Sequence, residues 1–163
     1  MKKVVLIACV FFGFTTYIYA QEISKNAIGL RLGDANGVGA SISYQRAIME
    51  SNRLEFNFGW SNSDNNDGIK FIGLYEWVWN IDGGFNWYAG PGAGFATYTF
   101  EDYYGHDHKD GFVILTGTVG IEYSFDFPLL LSLDVRPELG FGANAYNNND
   151  LDFDLGLGVR YQF

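Results

Sequence analysis

The chain has one cysteine, three prolines and two histidines among its 163 residues. Cys9 lies inside an apolar run that opens with Lys2 and Lys3 and closes at Ala20, before the polar Gln21 and Glu22. A basic start, a short apolar core and a small residue before a polar step are the pattern of a secretory signal peptide, although Ile18 stands where a small residue is usual. Leu6-Ile7-Ala8-Cys9 superficially matches a lipoprotein box, but only five apolar residues precede Cys9, and an export core spans about 7–15. Residues 1–20 are therefore read as a cleaved leader and 21–163 as a single domain. Without Cys9 the mature chain has no thiol, which excludes disulfides and thiolate metal sites.

Positive charge is also scarce. Removing Lys2 and Lys3 leaves eight basic against nineteen acidic residues and takes the net charge from −9 to −11. Such a balance argues against nucleic acid as a partner and against an anionic-lipid surface patch. No stretch after the leader approaches the ~20 consecutive apolar residues of a membrane helix.

Glycine and aromatic residues are abundant, at 21 Gly and 18% aromatic, which points to many strands joined by tight turns. Runs of strand character fall at 26–33, 38–48, 53–61, 69–80, 85–100, 112–125, 129–142 and 151–163, with no room for a helix between them. Several exceed the usual five or six residues of soluble strands and suit a tilted membrane strand of about 9–11. The links alternate in length. GDAN, NSDNNDG, EDYYGHDHKDG and ANAYNNND fall on one side, and the shorter MESN, IDGG and DFP on the other. Long polar loops on one side and tight turns on the other are the layout of an outer-membrane barrel. The reading is all-β: an eight-stranded antiparallel up-and-down transmembrane β-barrel.

Each strand has a polar and an apolar face. In 129–142, Leu129, Leu131, Leu133, Val135, Pro137, Leu139 and Phe141 oppose Ser132, Asp134, Arg136, Glu138, Gly140 and Gly142. The glycines orient the tube, because Gly29, Gly90, Gly94, Gly120, Gly156 and Gly158 share the charged face. Glycine weakens an open strand but makes room inside a narrow barrel. The charged face is thus inside and the apolar face meets lipid, the reverse of a lipocalin-like binder with an apolar cavity. Trp77, Trp79, Phe85, Trp87, Phe125, Phe127, Tyr161 and Phe163 fall near the short-turn ends, and Trp60, Phe100, Phe141 and Phe153 near the long-loop ends, as interfacial girdles require. Pro91 within GPGAG, lacking an N–H, is expected at a bulge or bend.

The stretches "GFNWYAGPGAGF", "GIEYSFDFPLLLSLDVRPELGF" and "LGLGVRYQF" resemble the small eight-stranded outer-membrane β-barrel proteins of Gram-negative bacteria, the OmpX-like and OmpA-transmembrane-like porin-family domain. The resemblance covers 26–163. It implies a bacterial outer-membrane location and recognition of Val159, Tyr161 and Phe163 by the barrel-assembly machinery.

Inward charges are Arg31, Arg53, Lys70, Arg136 and Arg160 against Glu55, Glu76, Glu122, Asp134, Glu138, Asp152 and Asp154. Eight strands leave an interior that side chains just fill, so mutual pairing is favoured over an open conduit for water or small cations. Tyr103, Tyr104, His106 and His108 lie in the longest link as a possible recognition loop, and His106 and His108 beside Asp107 could in principle hold a metal. Solvated polar decoration is the simpler reading, and no metal is assigned. Some eight-stranded barrels modify lipid A. Such chemistry needs a nucleophile beside a histidine, and neither histidine sits on a strand near Ser41, Ser43, Ser124 or Ser132 in this reading. No catalytic residue and no cofactor are assigned. The sequence reads as a monomeric structural or surface-interaction barrel whose partners are outer-membrane lipid, lipopolysaccharide and an unidentified extracellular ligand.

Overall fold

A computed structural model describes residues 23–33, 39–63, 66–101, 107–142 and 151–163. They form eight strands: β1 (Asn26–Gly33), β2 (Ala40–Met49), β3 (Asn52–Ser63), β4 (Asn66–Asp82), β5 (Phe85–Glu101), β6 (Asp107–Ser124), β7 (Leu129–Gly142) and β8 (Leu151–Gln162). Each strand pairs with its sequence neighbours, and β8 returns to β1, closing an all-antiparallel up-and-down barrel. The leader residues 1–20 lie outside the described residues.

Closure follows from the alternation at the chain's end. Val159, Tyr161 and Phe163 point outward and stand 41–59% exposed, while Arg160 between them is 1% exposed. The Asn26 N–H donates to the Phe163 carbonyl at 3.0 Å, and the Phe163 N–H donates back to Asn26 at 2.9 Å. The β1–β8 seam runs from Ala27 opposite Gln162 to Gly33 opposite Gly156. The wall is uneven in height, since β1 has 8 residues whereas β4, β5 and β6 have 17, 17 and 18.

Three features differ from the sequence reading. First, the long link is shorter than EDYYGHDHKDG suggests: β5 continues to Glu101, β6 begins at Asp107, and His108 lies in a strand opposite Phe100. Polar residues here extend a ladder already set by the apolar alternation below them. Tyr103, Tyr104 and His106 fall outside the described residues.

Second, GPGAG is not a bulge. Leu74 faces Gly92 and Trp77 faces Ala89, so the register is the same on either side of Pro91 and the ladder lapses only between them. A second lapse lies at Pro137, whose carbonyl accepts from the Thr116 hydroxyl at 2.9 Å. Proline removes the donor without inserting a residue, so pairing skips locally and resumes in phase. The shifts in register lie instead beside short turns, between Ala47 and Met49 and between Asn80 and Asp82.

Third, the interior is not uniformly polar. Ile72, Leu74, Ala96, Phe112 and Ile114 form an apolar cluster inside the tube. These side chains come from β4, β5 and β6, where alternation is between two apolar faces and the sequence pattern cannot separate inside from outside.

Candidate functional site

The barrel interior is an ion-pair lattice seeded by strand periodicity. Successive inward positions on β3 (Arg53, Glu55, Asn57) and β7 (Ser132, Asp134, Arg136, Glu138) present alternating donors and acceptors up the tube axis. Arg53, Glu55, Asp134, Arg136 and Arg160 are all less than 5% exposed.

Glu55 is the hub. Its Oε1 accepts from Arg136 Nη2 at 2.8 Å, Arg160 Nη2 at 2.9 Å, Asn57 Nδ2 at 2.9 Å and Ser43 Oγ at 3.2 Å, and its Oε2 accepts from Gln45 Nε2 at 2.6 Å. Arg160 also donates to Ser43 Oγ at 2.8 Å and Ser132 Oγ at 2.6 Å. Above, Arg31 joins Asp134 at 2.6 Å and Asp154 at 2.7 Å, and Arg136 Nε lies 3.0 Å from Asp134. Below, Arg53 bridges Glu76 at 2.6 Å and Glu122 at 2.8 Å, with its guanidinium 4.7 Å over the Tyr88 ring. Tyr88 donates to Asp134 at 3.3 Å, linking the lower group to the upper. Lys70 pairs with Glu138 at 2.6 Å near the top. Each of these buried charges meets an opposite charge; a lone one would be costly.

Of the inward charges named from the sequence, Asp152 departs from this arrangement. It is only partly buried, and among the described residues it makes no ion pair. It lies opposite Glu138, next to the upper end of β8. His108 belongs to the upper part of β6.

Glycine makes the crowding possible. A Cβ at Gly156 would run into the Arg31 guanidinium, and one at Gly120 would meet the Tyr88 ring at 2.5 Å and its hydroxyl at 2.6 Å. These glycines are the hollows into which the largest interior side chains fit.

Two cavities flank the lattice and share no lining residue. One of about 230 Å³ opens at the short-turn end between Gln45, Arg53, Asn86, Glu122, Ser124 and Gln162. The other, about 20 Å³, lies among Arg31, Asn57, Lys70, Arg136, Glu138 and Asp154. Glu55, Asp134, Arg160 and Tyr88, none more than 1% exposed, occupy the levels between. Sequence reasoning put the charged residues and Ser132 on the inner face but did not single out Tyr88, Ser43 or Gln45; their inward parity was the available signal.

The outer wall is the complement of this interior. Leu30, Leu32, Phe58, Val119, Leu133 and Leu155 stand 44–61% exposed. Near the short turns, Trp79 stacks on Trp87 with centroids 4.2 Å apart, Tyr75 packs edge-on against Trp77 at 5.0 Å, and Phe85, Tyr123, Phe125 and Phe127 follow one another at 4.5, 4.7 and 5.1 Å.

No family model and no curated protein matches the chain. Solved structures do. Neisserial surface protein A is 14% identical, with a TM-score of 0.58 over 85% of this chain and 94% of that one. The N-terminal β-barrel domain of Pseudomonas aeruginosa OprF is 13% identical, with a TM-score of 0.66 over 86% of this chain and all of that one. Ail, the attachment invasion locus protein of Yersinia pestis, is 17% identical, with a TM-score of 0.50 over 86% and 97%. The fold of this chain is that of the small eight-stranded barrels its sequence motifs resemble.

Proposed function

We propose that the protein is a bacterial outer-membrane barrel with a structural or surface-interaction role, exported by a leader at residues 1–20 and displaying its long links to the exterior. One observation carries this reading: the wall turns bare apolar side chains outward in a band edged by aromatic rings, while the charges face inward and pair. In water that arrangement would expose a large apolar surface; in a bilayer it satisfies both solvents. Similarity in fold to a surface protein and to an attachment invasion locus protein supports the surface role. The reading is non-enzymatic.

The test is electrophoretic. Membrane fractions analysed unboiled and boiled should give two mobilities for the chain, with the compact form requiring detergent for extraction. A mature protein recovered in the soluble fraction with a single mobility would overturn the assignment.

A further inference from the structure

We propose that Ile23 and Ser24 are a strap across the short-turn mouth of the barrel, latched by the Gln162 side chain, that controls the access of small water-borne solutes to the Arg53–Glu122 pair. The strap rests on the barrel itself, and only the name of the compartment it faces, the periplasm, depends on the outer-membrane reading.

The cavity of about 230 Å³ at this end is walled from several sides of the tube, by Gln45 of β2, Arg53 of β3, Asn86 of β5, Glu122 of β6 and Leu130 of β7, so it spans the lower bore. Ile23 and Ser24 line it as well. Their placement is informative because both precede β1. At the foot of that strand Asn26 pairs with Arg46 and with Phe163, and the Lys25 carbonyl accepts from the Ala47 N–H at 3.0 Å. A chain that merely continued the strand would leave the barrel below this point. Ile23 and Ser24 instead turn inward and are half-buried, while Lys25, between them and the strand, is exposed.

The latch is a side-chain relay. Gln162 Nε2 donates to Ser24 Oγ, and Gln162 Oε1 accepts from the Ser124 hydroxyl at 3.1 Å, which joins β6 and β8 to the strap past Leu130 of β7. Neither Ile23 nor Ser24 has a backbone hydrogen bond among the described residues, so the strap can leave without disturbing the ladder. A segment held by one side-chain bond and little packing belongs to the low-stability end of local opening. A single neutral hydrogen bond biases such an opening about fivefold, and the half-buried Ile23 side chain adds to the closed state. Behind the strap, Arg53 and Glu122, 4% and 3% exposed, pair at 2.8 Å on the wall of the cavity.

The experiment uses a thiol placed in the cavity. With Cys9→Ser throughout, the reporter is the only thiol of the chain. N-ethylmaleimide, a small neutral reagent, is reacted with Asn86→Cys in the full-length barrel in detergent micelles, and with Asp82→Cys, in an exposed turn, as the reference. Position 86 should react more slowly than position 82. Ser24→Ala should speed it about fivefold, and Ile23→Gly/Ser24→Ala should bring it closer still to the reference, with the rate at position 82 and the urea midpoint unmoved. Equal rates at the two positions with the strap unaltered, or a rate at position 86 that neither strap variant changes, overturn the strap. Asn86 donates to Glu122 at 3.3 Å; should its replacement cost the unboiled mobility form, Leu130→Cys carries the same test. Wild type without that form defeats the barrel reading and the strap together, whereas a folded barrel whose cavity thiol ignores the strap variants defeats the strap alone.

Discussion

A single carboxylate, Glu55, decides whether two guanidiniums are compensated. Arg136 and Arg160 both bond its Oε1, at 2.8 and 2.9 Å, in a region where side chains are essentially unexposed. Glu55→Ala should therefore cost about 3–5 kcal/mol, because it strands buried positive charge rather than merely deleting a contact. Asp152→Asn, at a partly wet position without an ion pair among the described residues, should change stability by less than about 0.5 kcal/mol. Urea titration of the folded barrel in detergent micelles compares the two. Equal effects would show that the lattice is not what holds the interior. The sequence marks both residues as inward by parity, but only height within the tube separates the hub from the rim.

Strands of unequal length imply unequal persistence. The β5–β6 ladder is continuous from Phe85 opposite Tyr123 to Glu101 opposite Asp107, whereas the β1–β8 seam ends at Gly33 opposite Gly156. Hydrogen-bonded elements open locally with free energies that rise with their ladder and packing. Amide exchange in micelles should thus show Ala27–Gly33 exchanging before the paired Ala93–Ala96 and Phe112–Leu115. Uniform exchange around the barrel would mean that it opens as one unit. The lapses at Pro91 and Pro137 bear on the same measurement: each removes a donor without shifting register, so faster exchange should stay confined to their immediate partners. The strands themselves were legible from alternation, most cleanly in β7 and β8. β4 was less so, since Ile69, Phe71, Ile72 and Leu74 put apolar residues on both faces.

At the scale of the whole molecule, the question is whether the polar interior conducts. The two cavities are separated by Glu55, Asp134, Arg160 and Tyr88, and the guanidiniums between them are tied to carboxylates on several strands. Eight strands enclose a bore that side chains fill. Planar-bilayer recordings of the purified barrel should accordingly show no unitary currents in any alkali chloride at moderate voltage. Reproducible openings would require the lattice to rearrange and would favour the conduit reading.

Composition and period two by themselves determined the class of fold, the strand count and which face is polar, because a strand's side-chain alternation is a local property that no distant contact can alter. The glycines on the charged face carried the orientation for the same reason. Partnership was decided only in three dimensions. Arg31 meets Asp134 across 103 residues and Arg160 meets Glu55 across 105, and parity says that each is inside without saying at what height. Likewise Asn26 comes to lie beside Arg46 only through the register of β1 on β2, which the closed ladder sets. Pairing distances depend on stagger, and stagger is a property of the whole barrel.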